Sequence, residues 1–101
     1  MTKRELVARL VRDPILIEPV GMVTCYRVAL YDDPDPSGGV WIALAPIAGT
    51  LLLDEYRHVH ARVSGKVIRL NSREIEAVVS RLRRLFGGGE LPKKDTGRVP
   101  P

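Results

Sequence analysis

The stretch from Val59 to Leu70, VHARVSGKVIRL, decides the fold because it places a serine and a glycine between two runs of alternating side chains. Ser64 and Gly65 are typical of a two-residue hairpin turn, in which glycine supplies the positive φ that such tight turns often need. The stretch therefore predicts two antiparallel β-strands joined by this turn.

The pairing that this turn imposes separates apolar from polar side chains. With a two-residue loop, one face of the hairpin is mostly apolar, and the other face carries a histidine and arginines. Another arrangement of these residues could have paired apolar with charged side chains on both faces, so the observed separation favours the hairpin. The predicted partners are Val63 with Lys66, Arg62 with Val67, Ala61 with Ile68, His60 with Arg69, and Val59 with Leu70.

A helix over residues 51–63 is the competing interpretation. Several apolar residues also fit helical spacing, and Gly65 could end such a helix. Under this interpretation His58 and His60 would lie on different sides of the helix and would have no joint role. The residues that fit helical spacing are Leu52, Tyr56, Val59 and Val63.

Two helix starts are marked in the sequence. Thr2 and Glu5 have the spacing of a capping box, in which the two side chains satisfy free backbone N–H groups of the first turn. Asn71 and Glu74 repeat this spacing later in the chain. The sequence therefore predicts an N-terminal helix and a C-terminal helix.

The two helices end at different signals. The Asp13-Pro14 step ends the first, because the residue before a proline is pushed out of the α region. Gly87 ends the second after an unbroken apolar stripe. Residues 87–101 contain little to bury, so we predict one domain over residues 1–86 and a flexible tail containing Gly, Pro and Lys over 87–101. The apolar stripe comprises Ile75, Val78, Val79, Leu82, Leu85 and Phe86.

The middle of the chain is rich in β-branched and aromatic residues, which is typical of strands. Residues 15–19 and 22–31 are two such runs, and residues 40–48 follow the turn-forming segment DDPDPSGG. Residues 40–45 are apolar at every position, which indicates that both faces of that strand are covered. The predicted fold is therefore α+β: an N-terminal helix, four to five mostly antiparallel strands, and a C-terminal amphipathic helix packed on one sheet face.

Composition indicates a small cytoplasmic protein. No stretch approaches the roughly 18 apolar residues that a membrane span needs, and charges interrupt the N-terminal residues where a secretory signal would be continuously apolar. The single cysteine, Cys25, cannot form an internal disulfide, as expected in a reducing compartment. Scarce amides and 12 arginines against four lysines agree with a thermophilic source, although a GC-rich genome would also favour arginine.

The formal net charge of +4 is unevenly distributed. Up to Glu90 the chain has 13 basic and 11 acidic residues, and the rest of the excess comes from Lys93, Lys94 and Arg98. The folded part is therefore only mildly basic. A role in binding polyanions depends on whether its cations gather on one surface.

His58 and His60 project from the same face of a strand, which is a known way to offer two imidazoles to a metal ion. No third ligand has a spacing that ties it to them, and Arg62 and Arg69 on the same face would repel a cation. Cys25 lies in an apolar strand, where a small buried thiol is the usual explanation. We therefore predict no metal, no cofactor and no catalytic residue.

The hairpin face that carries both histidines is better suited to nucleic acid. Rings on this face could stack on bases, and arginines could pair with phosphates, as in proteins that bind single strands. The alternative is the ordinary solvent face of an antiparallel sheet. We expect a small non-enzymatic protein that binds single-stranded DNA or RNA through a basic and aromatic sheet face. The expected contact residues are Arg27, Tyr56, His58, His60, Arg62, Arg69, Lys93 and Lys94.

Self-association is the alternative function. Trp41 lies in a strand that is apolar on both faces, and a two-layer domain of this size has few places to bury it together with the long stripe of the last helix. We therefore also expect a homodimer. It would be either an interaction or scaffold subunit without a nucleic-acid role, or a means of doubling the basic face.

Overall fold

The computed structural model describes residues 1–20, 25–32, 38–47, 50–86 and 97–99. Over these residues a helix precedes five strands, a second helix follows them, and a short strand comes last. The predicted α+β class is confirmed. In chain order the elements are α1 (Lys3–Arg12), β1 (Ile15–Pro19), β2 (Cys25–Leu30), β3 (Gly39–Ile47), β4 (Thr50–Val63), β5 (Lys66–Ile68), α2 (Ser72–Phe86) and β6 (Gly97–Val99).

Both helices begin at the predicted capping boxes. The Glu5 backbone N–H donates to Thr2 Oγ1 at 3.1 Å, and the Thr2 backbone N–H donates to the Glu5 carboxylate at 3.4 Å. Asn71 and Glu74 exchange the equivalent hydrogen bonds, both at 2.8 Å. The sequence therefore satisfies backbone donors of both first turns locally, before any tertiary contact is made.

The hairpin is present with the predicted register. Ser64 and Gly65 have φ values of 51° and 78°, and two successive positive values are typical of a type I′ turn. Because Thr50–Val63 forms one strand, the competing helix over residues 51–63 is wrong. The observed pairs are Ala61 with Ile68, Arg62 with Val67, and Val63 with Lys66. β5 ends at Ile68, so the other two predicted pairs, His60 with Arg69 and Val59 with Leu70, are not formed.

The described strands form one sheet in the order β5-β4-β3-β2-β1-β6, and every pairing is antiparallel. Gly97–Val99, which lies within the predicted tail, pairs with β1 as β6. The other residues of the tail, including Lys93 and Lys94, lie outside the described residues. The flexibility of that part of the chain stays a prediction.

Both helices pack on the same face of the sheet, which we call the inner face. One row of cross-strand neighbours, Ile17, Val28, Val40 and Ala61, is completely buried, with 0% of each residue exposed. This row belongs to a continuous apolar core with both helices. The helix residues in that core are Leu6 and Leu10 of α1 and Val78, Val79 and Leu82 of α2.

A buried arginine joins the two helices. Arg81 of α2 is only 4% exposed, and its Nη1 donates to the carbonyl oxygen of Leu10 at 2.8 Å and also to that of Asp13. The carbonyls at the end of a helix have no partner within the helix, so Arg81 satisfies groups that α1 leaves free. Desolvation lowers the pKa of Arg81.

Candidate functional site

The sheet face opposite the helices, which we call the outer face, contains four of the eight residues predicted to bind nucleic acid. Strand alternation places side chains there that are out of phase with the buried rows. Its central row crosses four strands, from Glu18 of β1 through Arg27 and Trp41 to His60 of β4. The register therefore brings together residues that are up to 42 positions apart in sequence.

Trp41 and His60 form a stacked pair at the centre of this row. They are direct cross-strand partners, their ring centroids lie 5.3 Å apart, and the ring planes differ by only 3°. The centroid separation is typical of an offset-stacked pair. His58 lies beside His60, also 5.3 Å between centroids, with a tilt of 42°. The outer face thus carries three neighbouring rings.

Two arginines contact the Trp41 ring. The Cζ atoms of Arg27 and Arg62 each lie 5.6 Å from its centroid, within the range of cation–π interactions. Arg27 is fixed by other bonds as well, since Nε donates to the Gly38 carbonyl at 2.8 Å and Nη1 donates to Glu18 at 3.0 Å. Its charge is therefore already paired within the protein.

Arg62 differs from Arg27 in its partners. Its Nε is buried without a hydrogen-bond partner, and among the described residues its guanidinium forms no ion pair with a carboxylate. It is held half-buried over the Trp41 ring, and no carboxylate of the described residues compensates its charge. Such a cation is suited to pair with an external anion.

Gly39 lies opposite Arg62 at the start of β3. It is the cross-strand partner of Arg62, so no side chain lies directly opposite the guanidinium on β3. Its φ of 123° and the 2.7 Å distance that an added Cβ would have to the Val28 carbonyl oxygen exclude other residues without rearrangement. The glycine that starts β3 is therefore required by the backbone and by its close approach to β2.

Tyr56 does not lie on the outer face, and the prediction that it does is wrong. His58 pairs with Ala43, but Tyr56 pairs with the next residue of β3, Leu44. Arg57 is therefore an extra residue in β4, and a β-bulge of this kind interrupts the alternation of side chains. As a result Tyr56 packs against the apolar core on the inner face.

A groove lies next to His60, at the point where β5 ends and β4 continues. It has a volume of about 660 Å³, within the usual range of small-molecule sites. Arg69 lies on its wall, and Lys3 Nζ donates to the Arg69 carbonyl at 3.3 Å, which ties this part of the chain to α1. The lining residues are His58, Val59, His60, Val67, Arg69 and Leu70.

The electrostatic character of the outer face is mildly positive. Glu18, the acid of the central row, is paired with Arg27, whereas Arg62 and Arg69 have no carboxylate partner among the described residues. Burial, then the charge of His58 and then that of Arg62 lower the pKa of His60. The lowered pKa favours the neutral ring of His60, and the arginines supply the positive charge of this face.

The described geometry gives no support to catalysis by Cys25. Ala43 separates Cys25 from His58 in the sheet, so two strand spacings, about 10 Å, lie between them, which is too far for a hydrogen bond. Burial also raises the pKa of the Cys25 thiol, which disfavours the reactive thiolate. Among the residues that the structure describes, no group of three or more His, Cys, Asp or Glu side chains could hold a metal ion.

The predicted contact residues thus divide into three groups. Arg27, His58, His60 and Arg62 share the outer face, and Arg69 lies at the adjoining groove. Tyr56 lies on the inner face, and Lys93 and Lys94 are outside the described residues. Trp41 was not among the predicted contact residues, because the sequence does not reveal which residue of β3 lies opposite His60.

Comparisons of this chain with models of known protein families, with curated proteins and with solved structures give no match. None of the helices among the described residues is long and apolar enough to cross a membrane. The function therefore has to be argued from the fold and from the chemistry of the outer face.

Proposed function

We propose that this protein is a small non-enzymatic binding protein for single-stranded DNA or RNA, and that the outer face is its binding surface. The observation that carries the proposal is the Trp41–His60 stack with Arg62 held against it, and Arg62 has no carboxylate partner among the described residues. Aromatic platforms combined with cations are the common means by which proteins bind single strands without a fixed sequence.

The position of the helices favours single strands over duplex. Motifs that read duplex DNA usually insert a helix into the major groove. Here α1 and α2 both contribute to the core on the inner face, and the ring stack lies on the opposite face of the sheet. Rings on a sheet surface can stack on unpaired bases, which a duplex keeps within its own stack.

The charge on this surface is sufficient for contacts with a few phosphates. Arg62 and Arg69 are free of carboxylates among the described residues, and Arg27 adds a cation whose charge is shared with Glu18. Each phosphate contact to a single strand adds about −0.7 to the slope of log affinity against log salt. We therefore expect a modest affinity that depends clearly on salt.

The test is fluorescence anisotropy of labelled single-stranded and duplex oligonucleotides across a salt series. We expect single strands to bind more tightly, and their affinity to fall about tenfold between about 50 mM and about 200 mM salt. Trp41 is the single tryptophan of the chain, so quenching of its fluorescence reports independently on stacking near the outer face. Absent binding at about 50 mM salt, or binding that salt does not weaken, would contradict the proposal.

Charge variants locate the binding surface. Replacing Arg62 or Arg69 by Ala should weaken binding and reduce the magnitude of the salt slope by up to about one. Arg84→Ala is the matched control, because Arg84 is an exposed arginine of α2 and its loss changes the net charge equally. Equal effects of all three substitutions would mean that binding depends on overall charge and not on the outer face.

A homodimeric interaction or scaffold subunit is the second candidate, and the edge of β4 favours it. β5 pairs only with Ala61 to Val63, so along the side away from β3 the remainder of this 14-residue strand has no partner strand among the described residues. Open strand edges are templates for pairing with another chain. Light scattering should then show a mass that rises with protein concentration in the absence of nucleic acid, whereas a strict monomer at high concentration would exclude this candidate.

A further inference from the structure

The stacked groups of the outer face form a series that ends at the groove. Arg27 lies against Trp41 on one side, and His60 lies parallel to Trp41 on the other. These three residues occupy consecutive strands, β2, β3 and β4. On the far side of His60 lies the groove of about 660 Å³, with Arg69 on its wall. His60 is thus stacked on Trp41 and also lines this groove.

The groove combines three kinds of surface. Val59, Val67 and Leu70 supply apolar contacts, and His58 and Arg69 supply polar and charged groups. The edge of β4 at residues 58–60 has no partner strand on the groove side among the described residues. Its backbone can therefore offer hydrogen-bond donors and acceptors to a ligand. These apolar, charged and backbone groups together suit a flat heterocycle that is apolar on its faces and polar at its edge.

We propose that the groove receives one unpaired base of a bound single strand, which stacks on His60 and extends the series Arg27, Trp41, His60. This inference rests on the proposed function and adds the position where a base is bound. Arg69 also lines the groove, and a guanidinium there can stack on the inserted base or pair with its phosphate. A base within a duplex cannot enter without being unstacked, so the groove also accounts for a preference for single strands.

The first test compares an intact oligonucleotide of about 10 thymidines with an abasic strand that has the same number of phosphates. Base stacking on aromatic groups is worth about 1–3 kcal/mol per base, so the abasic strand should bind at least about fivefold more weakly to the wild-type protein at one salt concentration. The salt slope of the two strands should be the same, because their phosphate contacts are equal.

The second test fills the groove. Val67 is 60% exposed on its wall, so Val67→Trp adds an indole without disturbing the core. This variant should lose the difference between intact and abasic strands and keep the salt slope. Ala8→Trp is the control, because Ala8 is an exposed residue of α1 away from the groove. It should keep the difference. His60→Ala should also reduce the difference, which provides a second variant if Val67→Trp fails to fold.

The outcomes separate the two proposals. Equal binding of intact and abasic strands by the wild-type protein, with a normal salt slope, overturns the base-binding groove and leaves the phosphate-binding outer face in place. The groove is also overturned if Val67→Trp folds, as judged by circular dichroism, and retains the full preference for the intact strand. If neither strand binds at about 50 mM salt, the proposed function itself fails and the groove with it.

Discussion

The two faces of the sheet are built from alternate residues of the same strands and yet are held in different ways. On the inner face, Val40 and Ile42 are no more than 1% exposed, beneath two helices. On the outer face, their neighbour Trp41 is only half-buried, and its contacts are with Arg27, His60 and Arg62. The first arrangement derives its stability from burial, and the second from ring and guanidinium contacts at a surface.

Because the two faces are held differently, we expect residues of the inner face to determine stability and residues of the outer face to determine binding. Substitutions on the inner face remove buried contacts and leave cavities, so they act on the free energy of unfolding. Substitutions on the outer face remove accessible groups, so under the proposed function we expect them to act first on the affinity for nucleic acid. Variants of the two faces can therefore be compared in pairs, with one residue from each face.

The largest effect on stability is expected from an inner-face truncation. Ile42→Ala removes a side chain that is 1% exposed and in contact with the apolar core, and it should lower the free energy of unfolding by about 3 kcal/mol. Val67→Ala on the outer face, where Val67 is 60% exposed, should change it by less than about 0.5 kcal/mol. Urea denaturation measures both. Similar losses would show that the outer face is as deeply buried in solution as the inner one.

An intermediate loss of stability is expected for a buried arginine, Arg81, and a smaller one for an arginine of the outer face, Arg62. Arg81→Met removes the buried donor to the Leu10 and Asp13 carbonyls and should cost about 2 kcal/mol of stability. Arg62→Met removes a cation–π contact at the surface and should cost less than about 1 kcal/mol. Exposed Arg84 provides a control in α2, where the same substitution should cost less than about 0.5 kcal/mol.

Nucleic-acid binding should follow the opposite order for these arginines. Arg62→Met should weaken binding of a single strand, whereas Arg81→Met should retain the wild-type affinity once the protein is folded. Anisotropy titrations at low temperature, with folding verified by circular dichroism, provide the comparison. Loss of affinity in folded Arg81→Met, or its retention in Arg62→Met, would mean that the two faces do not divide stability and binding.

Local features of the fold could be predicted from the sequence, and long-range ones could not. The capping pairs Thr2–Glu5 and Asn71–Glu74 and the Ser64-Gly65 turn are set by residues within a few positions of one another. The register of the hairpin follows from that turn, because a two-residue loop fixes which residues face each other.

The errors at the site have a common physical cause. Alternation along β4 predicts the wrong face for Tyr56, because the extra residue at Arg57 depends on how β3 pairs with β4. The apolar run around Trp41 predicts that its ring is covered or promotes association. Its partner in the structure is His60 of β4, and the sequence does not reveal which residue of β4 pairs with Trp41. The sequence gives no sign of the role of Arg81 beyond its positive charge, because its partners at the end of α1, Leu10 and Asp13, are 71 and 68 positions away.

The smallest expected effect is on the pH dependence of stability, through His60 of the outer face. Burial, His58 and Arg62 lower the pKa of His60 in the folded state, whereas in the unfolded chain a histidine titrates near about 6.5. The unfolded state therefore binds more protons in this range, and the contribution of His60 to stability is present above about pH 6.5 and is lost as the pH falls through the lowered value.

His60→Phe keeps a ring beside Trp41 and removes the titration, so its melting temperature should fall less than that of the wild type between about pH 7 and about pH 5. His58→Gln should have a weaker effect in the same direction, because the charge of His58 is only one of the causes. An unchanged pH dependence in His60→Phe would show that the inner face and the helices, and not the ring stack, determine how acid destabilises this protein.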